Sequence, residues 1–195
     1  MYILEIITAA ELQDLLNSKK SHHGVKVLDA RWDDTKSRTS IREEYDKEHI
    51  PLAIFYNHEL VSDLSQQTPQ AFPKLTDFVR YMNKVSISVE DDVVIYGTNH
   101  TSFSAEYCAF VFKHFGHVGK VCILQGGIEE WKKLGYRTEV SREDLGINEN
   151  NFNIYIPHEH EDSSLHQVDV SEVLRCLDSD QIQIVDCREP QIFHG

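Results

Sequence analysis

The chain has 195 residues, a formal net charge of −13, 41% apolar and 26% charged residues. That length buries one good core, or one domain and part of a second. The acidity argues against a nucleic-acid-binding surface, which needs a basic stripe, and against an anionic membrane surface. Met1 to Thr8 is too short an apolar run for a signal peptide and has no basic flank, and no stretch approaches the length of a membrane span. The four cysteines, Cys108, Cys122, Cys176 and Cys187, match no zinc or redox spacing. A cytoplasmic chain with reduced thiols is therefore expected.

Thr8-Ala-Ala-Glu11 is a capping box that opens a helix to about Ser18. Val25 to Ala30 reads as a strand, Trp32 to Ser40 as a loop and Ile41 to Lys47 as a helix, which Pro51 closes off. Leu52 to Tyr56 is a short apolar strand, Asn57 to Gln70 a polar loop, and Ala71 to Val85 a helix with an apolar stripe. Asp92 to Tyr96 is short and apolar, as a central parallel strand should be. Ser104 to Phe115 is apolar nearly all round, so that helix should be buried, with Gly116 as its cap. Lys120 to Leu124 is a further strand, and Gly126-Gly127 turns into a helix ending near Gly135. Strands alternating with helices at this spacing imply βαβ units and a mainly parallel sheet.

Residues 140–166 are polar and read as a linker with one strand at Phe152 to Ile156. The start of the chain then returns. Glu172 to Asp178 followed by Ile182 to Arg188 repeats the pattern of Glu11 to Asn17 followed by Val25 to Arg31, a helix and then a strand ending in Asp-x-Arg. The aspartates Asp29 and Asp186 lie about a domain's length apart, which suggests a duplicated domain. The expected organisation is a first domain at 1–139, a linker at 140–166 and the truncated start of a second domain at 167–195. Apolar positions in that start, such as Leu174, Leu177, Ile184 and Val185, should lie exposed without the rest of it.

Several motifs together resemble the tandem-domain rhodanese family of thiosulfate and 3-mercaptopyruvate sulfurtransferases. They are Leu28-Asp-Ala-Arg-Trp32, Arg42-Glu-Glu-Tyr-Asp-Lys-Glu-His-Ile-Pro51, Ser62-Asp63, Val93-Val-Ile-Tyr96, Ser104-Ala105, Phe115-Gly-His117 and Leu124-Gln-Gly-Gly-Ile-Glu-Glu-Trp131. The resemblance implies an α/β fold, a rhodanese-like domain with a five-stranded parallel sheet and helices on both faces. It implies a second such domain as partner, a small sulfur-donor substrate, no cofactor and no metal. A mitochondrial location also occurs in the family, although no presequence is seen.

In that family the first domain is normally non-catalytic, and the second carries the cysteine that accepts sulfur as a persulfide. Such a thiolate needs a lowered pKa, which a loop of backbone amides at a helix N-terminus provides. The cysteine position, directly after the central strand, falls on Gly97, and the loop Gly97, Thr98, Asn99, His100, Thr101, Ser102, Phe103, Ser104 holds neither Cys nor Arg. It is read as a degenerate active-site loop, with small-anion binding there as a remote alternative. No catalytic residue is expected in this chain. Glu59 and Gln70 match positions that assist the second domain's site, so an interdomain cleft is expected to involve Glu59, Gln70, Asp186 and Arg188. Gln70 cannot exchange protons as a histidine would. Ile192 stands where the family holds substrate with an arginine, and Leu52 replaces its usual glycine. Cys108, Cys122 and Cys176 read as core residues, and Cys187 as structural. Asp29 and Arg31 read as a loop-fixing pair, and His49 as a backbone hydrogen-bonding group. His158-Glu-His-Glu161 with His166 reads as a solvated tract, with metal binding the lesser alternative.

Overall fold

A computed structural model describes residues 4–18, 25–32, 38–62, 71–99, 103–141, 155–158, 168–177, 179–186 and 190–193. The chain divides into two compact units, residues 1–160 and 161–195.

The first unit contains β1 (Glu5–Ile7), α1 (Ala9–Asn17), β2 (Lys26–Asp29), α2 (Arg38–Lys47), β3 (Ile54–Phe55), α3 (His58–Val61), α4 (Leu75–Lys84), β4 (Val93–Tyr96), α5 (Ser104–His114), β5 (Val121–Leu124) and α6 (Gly127–Lys133). The five strands form one parallel sheet in the order β1-β5-β4-β2-β3. The expected fold class, a five-stranded parallel α/β sheet, is what the chain adopts. β4 lies at the centre and is buried along its whole length, which explains its unbroken Val-Val-Ile-Tyr run.

Alternation along the strands feeds two cores. Leu28, Val93 and Ile95 face Phe78 and Met82 of α4 and Cys108 and Phe112 of α5. Val27, Val94 and Tyr96 face Leu12 of α1, Tyr45 of α2 and Trp131 of α6. α5 buries Ser104, Ala105, Cys108, Ala109, Val111 and Phe112, so its all-round apolarity reflects contact on several sides. The capping box at α1 is formed in both directions: Glu11 N donates to Thr8 Oγ1 at 3.3 Å and Thr8 N to Glu11 Oε2 at 2.8 Å.

Several expectations need correction. Glu5–Ile7, read only as a non-signal, is the edge strand β1. The loop expected from Asn57 opens with the single turn α3, because Asn57 Oδ1 accepts from the amides of Glu59 and Leu60. The helix expected from Ala71 begins only at Leu75. Pro73 holds Phe72 out of the helical region. The strand expected around Leu52 shrinks to Ile54–Phe55, because Pro51 and Leu52 are taken up in a turn.

In the presumed linker, Phe152 to Ile154 lie outside the described residues, and no strand forms at Tyr155–Ile156. Tyr155 instead belongs to the core. Its ring is buried edge-on to Phe78 and stacked on His117, its hydroxyl donates to His117 Nδ1 at 2.9 Å, and its amide donates to Asn83 Oδ1 at 2.7 Å. Three residues on, the backbone of His158 presses on Gly116, where an added Cβ would come within 2.1 Å of the His158 carbonyl oxygen.

The exposed edge of the sheet, β3, is closed by side chains. Tyr45 Oη donates to Ala53 O at 2.6 Å. Tyr81 Oη donates to Phe55 O at 2.5 Å and accepts from Asn57 N at 2.9 Å. The two phenols occupy positions that a further strand would take, which blunts the edge.

The second unit has α7 (Val170–Cys176) and α8 (Pro190–Phe193). Asp169 caps α7 through its side chain, accepting from Glu172 N at 2.8 Å. The strand expected at 182–188 is not formed over its described part, residues 182–186. A strand needs a ladder partner, and none is present among the described residues of this unit. Leu174, Leu177, Ile184 and Val185 are all exposed.

Leu52 sits at φ 64° with its side chain 71% exposed. A left-handed conformation costs a non-glycine residue about 1–2 kcal/mol, part of which is recovered by the stiffer unfolded chain. Leu52→Gly is expected to raise the unfolding free energy by about 1 kcal/mol, seen as a higher urea midpoint at unchanged slope.

Candidate functional site

Chemistry in a parallel sheet gathers at the carboxyl ends of its strands, here the ends of β2, β3 and β4. The ends of β2 and β4 are tied by one buried carboxylate. Asp29, fully buried at the end of β2, accepts from Arg31 N at 3.1 Å, from Arg31 Nε at 2.9 and 3.0 Å, and from Arg31 Nη2 at 2.6 Å. From β4, Tyr96 Oη donates to Asp29 Oδ2 at 2.7 Å and accepts from Ile50 N at 3.2 Å. Arg31 Nη2 also donates to Glu48 O at 2.8 Å. Burial pulls the Arg31 guanidinium down, but the Asp29 carboxylate outweighs it and holds it above its ordinary range. Burial, then Asp29, push the Tyr96 phenol well up, so it stays a donor. The pair fixes the loop, as a bidentate Arg-carboxylate fork does. His49 Nδ1 bonds Tyr45 O at 2.8 Å, the backbone role expected of it.

His58 lies next to this knot. Its Nε2 is 3.0 Å from Ala30 O, which can only accept, so Nε2 carries the proton. Nδ1 is buried with no hydrogen-bond partner among the described residues. The rings of Trp32, Tyr56 and Tyr107 surround the imidazole, at 5.4, 4.8 and 6.3 Å between centroids. Burial lowers its pKa from 6.5 to about 4.

The loop after β4 starts at buried Gly97. The first turn of α6 closes over it: Ile128 N donates to Gly97 O and Glu129 N to Thr98 O, each at 3.1 Å. Gly127, at φ 59°, permits this approach, because a Cβ there would lie 2.4 Å from Gly97 O. Asn99 Nδ2 donates to Glu129 Oε2 at 3.2 Å. His100, Thr101 and Ser102 lie outside the described residues. Phe103 precedes α5 at φ 47° with its ring exposed, and Ser104 is buried.

Glu59 is half-buried in α3, beyond the end of β3, and Asp186 is exposed in the second unit. Gln70 and Arg188, the other two residues expected at a cleft, lie outside the described residues. Among the thiols, burial pushes Cys108 well up, and burial followed by Glu5 pushes Cys122 up. Neither environment favours a thiolate. Cys176 is half-buried in α7, and Cys187 is outside the described residues. Of the His tract, only exposed His158 is described. Among the described residues no group of three His, Cys, Asp or Glu side chains could hold a metal, and no helix is long and apolar enough to cross a membrane. Sequence reasoning missed Tyr96 and His58 as parts of this face. Tyrosine ending a fully apolar strand was the available sign of a buried polar partner.

Residues 8–134 match the family model described as "Rhodanese-like domain". A thiosulfate sulfurtransferase of Cricetulus griseus is 30% identical over 193 residues, covering 97% of this chain and 61% of the relative. A 3-mercaptopyruvate sulfurtransferase of Rattus norvegicus is 28% identical over 191 residues, with the same coverage of 97% and 61%. The chain thus spans about three fifths of the length of these relatives. Among solved structures, the 3-mercaptopyruvate sulfurtransferase SseA of Escherichia coli superposes with a TM-score of 0.74 at 22% identity, over 98% of this chain and 68% of that one, and shows the same fold.

Two outcomes follow from this geometry. Asp29→Asn leaves Arg31 buried without its counter-charge and is expected to cost about 3–5 kcal/mol of stability in urea unfolding. For His58 the folded pKa lies below the unfolded one, so the unfolded chain takes up the proton first as pH falls. Its contribution is full above 6.5 and is lost between 6.5 and about 4. The loss is roughly 3 kcal/mol at most. His58→Gln is expected to shrink the fall in stability between neutral and mildly acid pH, with the remainder coming from groups such as His117, which burial also lowers to about 4.

Proposed function

The chain belongs to the rhodanese-like domain family, and on that premise we propose that it is the N-terminal part of a sulfurtransferase whose nucleophilic cysteine lies outside residues 1–195. In the reaction meant, a cysteine thiolate attacks the outer sulfur of thiosulfate, or the thiol sulfur of 3-mercaptopyruvate. An S–S bond forms and the donor leaves as sulfite or, once protonated, as pyruvate. A thiol or cyanide acceptor then takes the sulfur from the persulfide and returns the thiolate.

One observation carries this reading. The strand-loop-helix from β4 to α5 stands where this chemistry belongs, and its leading position is Gly97, with no cysteine from there to Ser104. A buried glycine cannot attack sulfur, and the two described thiols in the same unit are raised rather than lowered. The role proposed for residues 1–139 is structural, to pack on a second rhodanese-like domain and supply one side of its cleft. Glu59 and Gln70 would come from this side, and Asp186 and Arg188 from the residues that begin the second domain. Residues 140–166 would connect the two. Tandem organisation, truncation and a cytoplasmic location are part of the same proposal.

The departures at Gln70, Ile192 and Leu52 favour a second reading, a non-catalytic rhodanese-like interaction or regulatory module. The two readings part on the coding sequence downstream of Gly195. A cysteine-led loop running into a helix about a domain's length onward belongs to the enzyme, and its absence to the module.

For the chain itself the expected outcome is the same under both. The purified 195-residue protein, given thiosulfate or 3-mercaptopyruvate with cyanide, yields no thiocyanate above a free-cysteine control. Robust turnover that needs the folded chain would overturn the assignment of the nucleophile to another part of the protein.

A further inference from the structure

Away from the strand ends, the first unit carries a half-open cleft of about 1050 Å³ along the β3 edge. Its walls belong to α2, to the carboxyl end of α4 and to the segment 137–141. Three features define what it could hold.

The first is charge. In a chain of net charge −13 the cleft is lined by Arg42, Lys84 and Arg137, with Glu139 in the lining and Asp46 paired to Arg42. Glu139 ion-pairs with Arg137 and so takes up that cation. Asp46 ion-pairs with Arg42 through Nε and so offsets part of its charge, and the planar cation is held 5.3 Å from the centroids of both the Tyr45 and Phe55 rings. Its Nη groups make no hydrogen bond among the described residues. Lys84, exposed on the last turn of α4, is the lining cation that no carboxylate among the described residues pairs. A local positive potential on an acidic molecule selects anions.

The second feature is the apolar surface between these cations, contributed by Phe55, Tyr81, Val85 and Leu52. The third is the state of the β3 edge. Its Ala53 and Phe55 carbonyls already accept from Tyr45 and Tyr81. An incoming peptide strand would find those acceptors occupied, which disfavours strand addition. The volume is that of a small-molecule site. Two of the three non-glycine residues with positive φ among those described, Leu52 and Ser86, also line this cleft, and such strain concentrates where ligands are clamped.

We propose that this cleft is a binding site for a small amphiphilic organic anion, with a carboxylate or sulfonate head held by Arg42 and Lys84 and an apolar body laid against Phe55, Tyr81 and Val85. The site is independent of the degenerate loop after β4 and does not rest on the sulfurtransferase reading.

The test is a titration of the ¹⁵N-labelled 195-residue chain with 3-phenylpropionate, and in parallel with its neutral counterpart 3-phenylpropan-1-ol. The expected result is saturable shift changes confined to Phe55, Lys84, Val85, Ser86 and Thr138, with the alcohol about tenfold weaker. Lys84→Glu is expected to weaken the carboxylate by about tenfold and leave the alcohol unchanged. Lys133→Glu alters the net charge equally, away from the cleft, and should leave both ligands unchanged. No saturable change at millimolar ligand, equal binding of acid and alcohol, or equal effects of the two substitutions would overturn the proposal.

Discussion

The buried Asp29 carboxylate is the constraint from which the carboxyl face of the sheet follows. An ionised carboxylate without water must be surrounded by donors, and its site supplies them from two strands. Arg31 brings its own amide and its guanidinium, and Tyr96 brings its hydroxyl. The Arg31 charge, itself buried, must then find Glu48 O, and the Tyr96 oxygen takes Ile50 N as well. Each partner is required by the one before it. The sequence of obligations runs from β2 to β4 and on to the turn that leads into β3. A buried pair of this kind adds little stability over an apolar replacement, yet losing one partner is costly. Its effect here is to hold three chain segments in one arrangement.

That arrangement is independent of the chemistry in the loops that follow the strands. The loop after β4 is anchored by backbone bonds from Ile128 and Glu129 to Gly97 and Thr98, and by the glycine at 127 that allows the approach. None of these contacts uses the Gly97 side-chain position. A domain built in this way needs no side chain at position 97 to remain folded, in keeping with the proposal that the reacting cysteine lies elsewhere. The same holds at β3, where Tyr45 and Tyr81 close the sheet edge by their hydroxyls. The space they leave beside the strand is a cleft rather than a docking edge.

Much of the fold was legible because it depends on local pattern. The Thr8–Glu11 box, the apolar run of β4, the glycines at 126 and 127 and the all-apolar α5 each announce themselves within a few residues. What was not legible depends on distant partners. β1 is three residues long, with two of them exposed, and exists because β5 lies beside it. α3 is one turn under a single Asn57 cap. Tyr155 sits in a polar tract and becomes core only because Phe78 and His117 leave a place for it. The reverse error occurred at 182–186, where alternating apolar residues read as a strand and no partner among the described residues pairs with them. At the candidate site, the loop and the Asp29–Arg31 pair could be read from residue order. Tyr96 was signalled only by its place at the end of an apolar strand, and His58 not at all, since their partners lie on segments far apart in the chain.

The central proposal is that residues 1–195 belong to a sulfurtransferase but hold no sulfur-accepting cysteine. The most direct measurement is peptide-mapped mass spectrometry of the folded chain after treatment with thiosulfate or 3-mercaptopyruvate, with a urea-unfolded sample in parallel. The account predicts that Cys108, Cys122, Cys176 and Cys187 gain no sulfur atom in the folded chain beyond the level of the unfolded sample. A stoichiometric persulfide on one cysteine, formed only by the folded protein, would contradict it.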